Sequence, residues 1–118
     1  MIIVTGGAGF IGSNFILSWL ERFDEKIMNI DNLSYAADLN NLKDIENNSN
    51  YSFKKLNIQN QDEITTLILE TKPRAILNFA AESHVDRSIE DPENFINSNI
   101  IGTYSLLEAS LQYWNSLG

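Results

Sequence analysis

The chain has 118 residues and is 43% hydrophobic, which fits one globular domain able to bury a core. Sixteen acidic against eight basic residues give a formal charge of -8, which disfavours nucleic acid and anionic membrane as partners. With no cysteine there is no disulfide, thiolate metal site or cysteine nucleophile, and no metal site is expected; no run approaches the roughly 20 apolar residues of a bilayer span and no signal peptide is visible, so a cytoplasmic protein is the expectation.

Residues 2–5, 26–30, 51–56 and 74–80 are rich in β-branched or aliphatic side chains, and helix-like patterns separate them. That alternation reads as an α/β chain with a parallel sheet. The first helix is expected over about 11–22, with Phe15, Ile16, Trp19, Leu20 and Phe23 forming an apolar face at helical spacing. A weaker helix around 39–45 ends in the polar run Glu46-Asn47-Asn48-Ser49-Asn50. The third, about 61–71, repeats Ile64, Leu67 and Ile68 and stops ahead of Pro73.

The last helix has the strongest start: Asp91 as cap, Pro92 in the first turn and Glu93 at the positive end of the dipole. Ile96, Ile100, Thr103, Leu107, Leu111 and Trp114 then form one stripe over roughly 24 residues, about 36 Å, longer than a small sheet can cover. Right-handed crossovers put the first two helices on one face of the sheet and the last two on the other. The inferred strand order is 3-2-1-4, the opening part of a doubly wound, Rossmann-type sheet.

Directly after the first strand and before the first helix stands Gly6-Gly7-Ala8-Gly9-Phe10-Ile11-Gly12, with glycines spaced Gly-x-x-Gly-x-x-Gly. In that position backbone N–H groups can reach a pyrophosphate at the helix N-terminus. Gly6 permits the tight turn, Gly9 close backbone approach, and Gly12 helix-sheet packing. Asp31 follows at the end of strand two, where a carboxylate can accept from both ribose hydroxyls of an adenosine. Its charge repels a 2'-phosphate, and Asn32-Leu33-Ser34-Tyr35 offers no cation to receive one, so NAD is favoured over NADP.

Strand four ends in Asn78-Phe79-Ala80-Ala81 and continues Glu82-Ser83-His84-Val85-Asp86-Arg87-Ser88 at the carboxyl edge, beside which ligands of open α/β folds bind. Small Ala80 and Ala81 allow a cofactor close to the backbone, and Ser83 and His84 can point beyond a nicotinamide. His84, the single histidine, has no paired nucleophile in the sequence and reads as structural or substrate-contacting rather than catalytic. Asp86 and Arg87 read as a surface ion pair.

Taken together, the glycine turn, Asp31-Asn32-Leu33-Ser34-Tyr35-Ala36 and Ala80 to Ile89 resemble the dTDP-glucose 4,6-dehydratase family of the extended short-chain dehydrogenases, over essentially the whole chain. The resemblance implies cofactor contacts at Phe10, Ile11, Gly12, Asp31, Asn32, Leu33, Ser34, Ile58, Phe79, Ala80, Ala81, Glu82 and Ser83. It adds Ser98, where the family usually has Thr, and gives Ser83 to the sugar-nucleotide substrate as well; His84 beside it is taken as a substrate contact on the reading above. At position 57 the family typically has an aspartate that receives the adenine amino group; Asn57 keeps an accepting oxygen without the charge.

In the family a hydride leaves the sugar C4 for NAD, water is eliminated across C5 and C6, and the hydride returns to C6. A Tyr-x-x-x-Lys pair and a Thr-Asp-Glu run handle the proton transfers, and both lie downstream of the matched stretch. Neither motif is read in this chain: Tyr104, Tyr113 and the other tyrosines are taken to lack a Lys four residues on, and no Thr-Asp-Glu run occurs. The chain therefore reads as the N-terminal, NAD-binding portion of such an enzyme, residues 1–118, with no catalytic residue of its own. The resemblance also implies a homodimer through the last helix. The alternatives are a nucleotide-sugar epimerase or decarboxylase of the same superfamily, or a non-catalytic NAD-binding regulatory module.

Overall fold

The computed structural model describes residues 1–33, 38–80 and 89–118, and in the last segment all side chains but those of Asn94, Phe95 and Ser98. Four parallel strands, β1 (Ile2–Thr5), β2 (Ile27–Asp31), β3 (Tyr51–Lys55) and β4 (Ala75–Asn78), stand in the order β3-β2-β1-β4, as expected. β1 lies centrally, pairing Ile2 with Ile27 on one side and with Ala75 on the other. Its residues are all buried, so both faces of the strand are closed to water. That is why it is a continuous apolar run rather than an alternating one.

The chain divides into two compact units, Met1–Lys55 with Pro73–Ala80, and Leu56–Lys72 with Ala81–Gly118. In the first, helix α1 (Phe10–Arg22) and a 3-10 helix, Leu39–Ile45, pack on one face of the sheet. Ile16 and Leu42 meet Ile2, Val4 and Ile27 there, with Phe15, Trp19 and Phe79 around them. Truncating a side chain as enclosed as Ile16 costs about 2–5 kcal/mol. The expected placement of the first two helices on one face holds. Phe23 departs from the expected apolar face: α1 ends at Arg22, and Phe23, in extended geometry, is half exposed with its ring against Trp19.

In the second unit, helix α2 (Gln61–Thr71) has its expected bounds, capped by Asn60, whose side chain accepts from the Glu63 N–H. It ends at Lys72 in left-handed geometry, ahead of Pro73. Ile64 and Ile68 are buried. The last helix is broken where a single helix was expected: α3 (Pro92–Ile96) passes into a π-helical turn, Asn97–Ile101, and then α4 (Gly102–Ser116). The Gly102 N–H reaches back five residues to the Asn97 carbonyl. The extra residue rotates the apolar stripe, so that Gly102, Ser105, Leu106 and Ala109 face inward. Ile96, Ile100, Leu107, Leu111 and Trp114 of the expected stripe are all exposed.

At the strand N-termini, Arg74 forks onto Glu25 with bonds of 2.9 and 2.7 Å, and the Met1 amine lies 3.2 Å from the same carboxylate. The Arg74 hydrogen bond, with the amine's help and against partial desolvation, lowers the Glu25 pKa to about 2. A carboxyl depressed in the folded state stabilises above its unfolded pKa and loses that contribution as pH falls. Glu25→Gln should therefore lower the thermal midpoint at pH 7, with the gap to the parent closing between pH 4.5 and about 2. Melting curves across that window check it, and an unchanged gap at pH 2.5 contradicts it.

Candidate functional site

At the carboxyl end of β1 the chain turns through the glycines into α1. Gly6 has φ +69°, and a β-carbon there would sit 2.6 Å from the Phe79 carbonyl carbon, so this position requires glycine. Gly12 is just as confined, since a β-carbon would press on the Gly6 carbonyl and lie 2.8 Å from the Gly7 Cα. Gly9 differs: among the described residues a β-carbon there meets only the Gly6 oxygen, at 3.4 Å.

Gly9 caps α1 without a side-chain hydrogen bond, and the first turn carries no acidic residue. The first turn of α1 thus places no anion of its own at the positive end of the helix dipole. Phe10 and Ile11 project there, 79% and 68% exposed although both are apolar.

β2 holds the turn from the side. The Gly6 N–H donates to the Ile30 carbonyl at 2.8 Å. The Gly7 N–H donates to Asn29 Oδ1 at 3.0 Å, and the Ala8 N–H to Asp31 Oδ2 at 3.0 Å. Asp31 Oδ1 accepts from the Leu33 N–H at 2.8 Å, which holds Leu33 at φ +59°. Asp31 is buried, and among the described residues each of its oxygens accepts one backbone N–H. On the other side Thr5 Oγ1 donates to Asn78 Oδ1, tying the ends of β1 and β4 beside Phe79 and Ala80.

Gly6, Gly9, Phe10, Ile11, Gly12, Asp31, Leu33, Phe79 and Ala80 all fall within the first unit, together with Asn32. Ser34, Ala81, Glu82, Ser83 and His84 lie outside the described residues, as do Asp86 and Arg87. In the second unit, exposed Asn57 spends one lone pair of Oδ1 on the Gln59 N–H at 2.9 Å, and Ile58 is buried against Gly102. Ser98 belongs to the π-helical turn.

Sequence reasoning passed over two residues. Asn29 is fully buried in the middle of β2, and its signal was a polar side chain in an apolar strand two positions before Asp31, hence on the same face. Tyr51 has a lysine four residues on, Lys55, and so carries the Tyr-x-x-x-Lys spacing. Both residues lie on β3, where four positions span about 13 Å; on a helix they would be neighbours. The Tyr51 hydroxyl accepts from Asn29 Nδ2 at 3.2 Å. Burial raises its pKa, against the Asn29 hydrogen bond and with the help of the Asp31 charge, the reverse of what a catalytic base needs.

Sheet order, glycine turn and strand-end acid together define a Rossmann-type unit. The chain matches the GDP-mannose 4,6 dehydratase family over residues 3–117, and it belongs to that family. A dTDP-glucose 4,6-dehydratase from Xanthomonas campestris pv. campestris is 50% identical over 115 residues, 98% of this chain and 32% of the relative. The crystal structure of the Bacillus anthracis dTDP-glucose 4,6-dehydratase in complex with NAD superposes with a TM-score of 0.83 at 45% identity, over 95% of this chain and 34% of that one. A Streptomyces venezuelae dTDP-glucose 4,6-dehydratase with NAD and TYD bound gives 0.86 at 32% identity, over 95% and 36%. The chain thus spans about a third of the length of the curated relatives it matches.

Proposed function

We propose that residues 1–118 form the N-terminal, NAD-binding portion of a dTDP-glucose 4,6-dehydratase. The observation that carries this reading is the pairing of a helix start without a side-chain cap with a buried carboxylate, Asp31, that braces the glycine turn, in a chain similar to dehydratases solved with NAD. When bound, NAD supplies an acceptor and later a donor of hydride. The chain's own part is to hold it. The α1 N-terminus at Phe10, Ile11 and Gly12 receives the pyrophosphate, and the close packing at Gly6 and Gly12 keeps that end of the helix over β1.

Asp31 accepts from the ribose hydroxyls, while its charge turns away a 2'-phosphate. Asn32, Leu33 and Ser34 border the ribose, and Phe79, Ala80, Ala81, Glu82 and Ser83 the nicotinamide side. Asn57, Ile58 and Ser98 as cofactor contacts, and Ser83 as a substrate contact, are supported by the resemblance; His84 is the further candidate for the substrate. The proton transfers of the sugar chemistry fall to groups outside the matched stretch.

The same reading makes the enzyme a homodimer through α4. What supports it is the outer face of the helix: Ile100, Tyr104, Leu107, Leu111 and Trp114, each more than half exposed, recur at alternating spacings of four and three. That is the seam of a helix packed along another helix.

Two measurements check these assignments in the native protein carrying this sequence. Asp31→Ala should weaken NAD binding by about 1–3 kcal/mol in calorimetry, and unchanged affinity removes Asp31 from the site. Leu107→Glu, in the middle of the seam, should convert a sedimenting dimer into monomer, and a dimer that survives the change contradicts the interface.

A further inference from the structure

The Gly7 N–H lies inside the protein, and its acceptor is a side chain, Asn29 Oδ1. Of its neighbours in the turn, the Gly6 N–H donates to the Ile30 carbonyl and the Ala8 N–H to the Asp31 carboxylate. Asn29 has no solvent exposure, so its amide meets only protein groups. Its oxygen must face Gly7, because a backbone N–H can only donate, and its nitrogen then faces the Tyr51 hydroxyl. Register explains the reach. Tyr51 is directly opposite Ile27 on β2, on the face it shares with Asn29, and its long side chain covers the two-residue diagonal.

The fit is close on every side. A β-carbon at Gly7 would collide with the Asn29 oxygen and stand 2.5 Å from Ile16 Cδ1, so the turn rests on this amide and on the apolar core together. An apolar residue at position 29 would leave the Gly7 N–H buried without a partner, and the turn could satisfy it only by lifting away from β2. Lifting would move Gly9 and the start of α1, which follow within a few residues.

We propose that Asn29 is a positioning residue for the dinucleotide: it fixes the glycine-rich turn through Gly7, and Tyr51 fixes the orientation of its amide. Neither residue touches the ligand. The inference rests on the NAD-binding reading above, and it names the groups that pre-organise that site. Pre-organisation matters because a turn already in its bound shape spends no ligand affinity on ordering.

The test uses the native protein, the variants Asn29→Val and Tyr51→Phe, calorimetric titration with NAD, and amide hydrogen exchange of Gly7 without ligand. Asn29→Val should raise the NAD dissociation constant roughly ten-fold and expose the Gly7 amide to fast exchange. Tyr51→Phe keeps the acceptor but frees the amide, and should raise the constant about three-fold with a smaller gain in exchange. If Asn29→Val does not fold, Tyr51→Phe decides by the same two readouts.

A folded Asn29→Val protein that melts earlier yet binds NAD as the parent does overturns the positioning role and leaves only a structural one. Unchanged affinity and exchange in Tyr51→Phe overturn the coupling to Asn29. A parent protein that binds no NAD overturns the cofactor reading and the positioning role with it. In that case fast Gly7 exchange in Asn29→Val still shows what holds the turn.

Discussion

Between the end of β1 and the start of α1 the backbone turns through a space in which no β-carbon fits at Gly6, Gly7 or Gly12. Gly6 is pressed against the Phe79-Ala80 backbone, Gly7 against Asn29 and Ile16, and Gly12 against the turn itself. This close approach lets a helix begin immediately over the strand end with its first N–H groups pointing outward. Every other feature of the site is arranged around it. Replacing any of the three by alanine would force backbone or core side chains apart, and overpacking of that kind typically costs 1–3 kcal/mol.

Within the turn the Gly9 N–H donates to the Gly6 carbonyl at 3.2 Å, and β2 accepts from the N–H groups of Gly6, Gly7 and Ala8. Along one face β2 changes character every second residue: Ile27 joins the apolar cluster, Asn29 takes the Gly7 amide, and Asp31 takes the Ala8 amide. The core and the candidate site therefore share one strand. Asp31 holds both the turn, through the Ala8 N–H, and the left-handed Leu33, through its N–H, with one oxygen for each. Buried polar groups of this kind contribute little while paired and cost about 1–3 kcal/mol each when a partner is removed. Stability and binding are coupled at these positions for that reason.

Much of this was legible in the residues. The strand order followed from short apolar segments joined by right-handed crossovers, and α2 stops, as read, ahead of Pro73. The glycines and Asp31 carried their meaning because their places relative to strand and helix carry it. Asn29 did not, since a polar residue in an apolar strand acquires a role only once register shows that Gly7 and Tyr51 flank it. The Tyr51 and Lys55 spacing shows the same dependence: a four-residue interval means adjacency on a helix and separation on a strand. The π-helical turn left no mark in the hydrophobic periodicity. The stripe was read as one face of a single helix, longer than a small sheet can cover; past the turn Gly102, Ser105, Leu106 and Ala109 are buried while Leu107, Leu111 and Trp114 are exposed.

The central claim is that the uncapped helix start and Asp31 together form a site for a dinucleotide with free ribose hydroxyls. Competitive titration of the native protein with NAD and NADP tests it most directly. A 2'-phosphate brought against a buried carboxylate sets like charges together, at a cost of several kcal/mol, so NAD should bind roughly a hundred-fold or more tightly than NADP. Equal affinities, or a preference for NADP, would contradict the account.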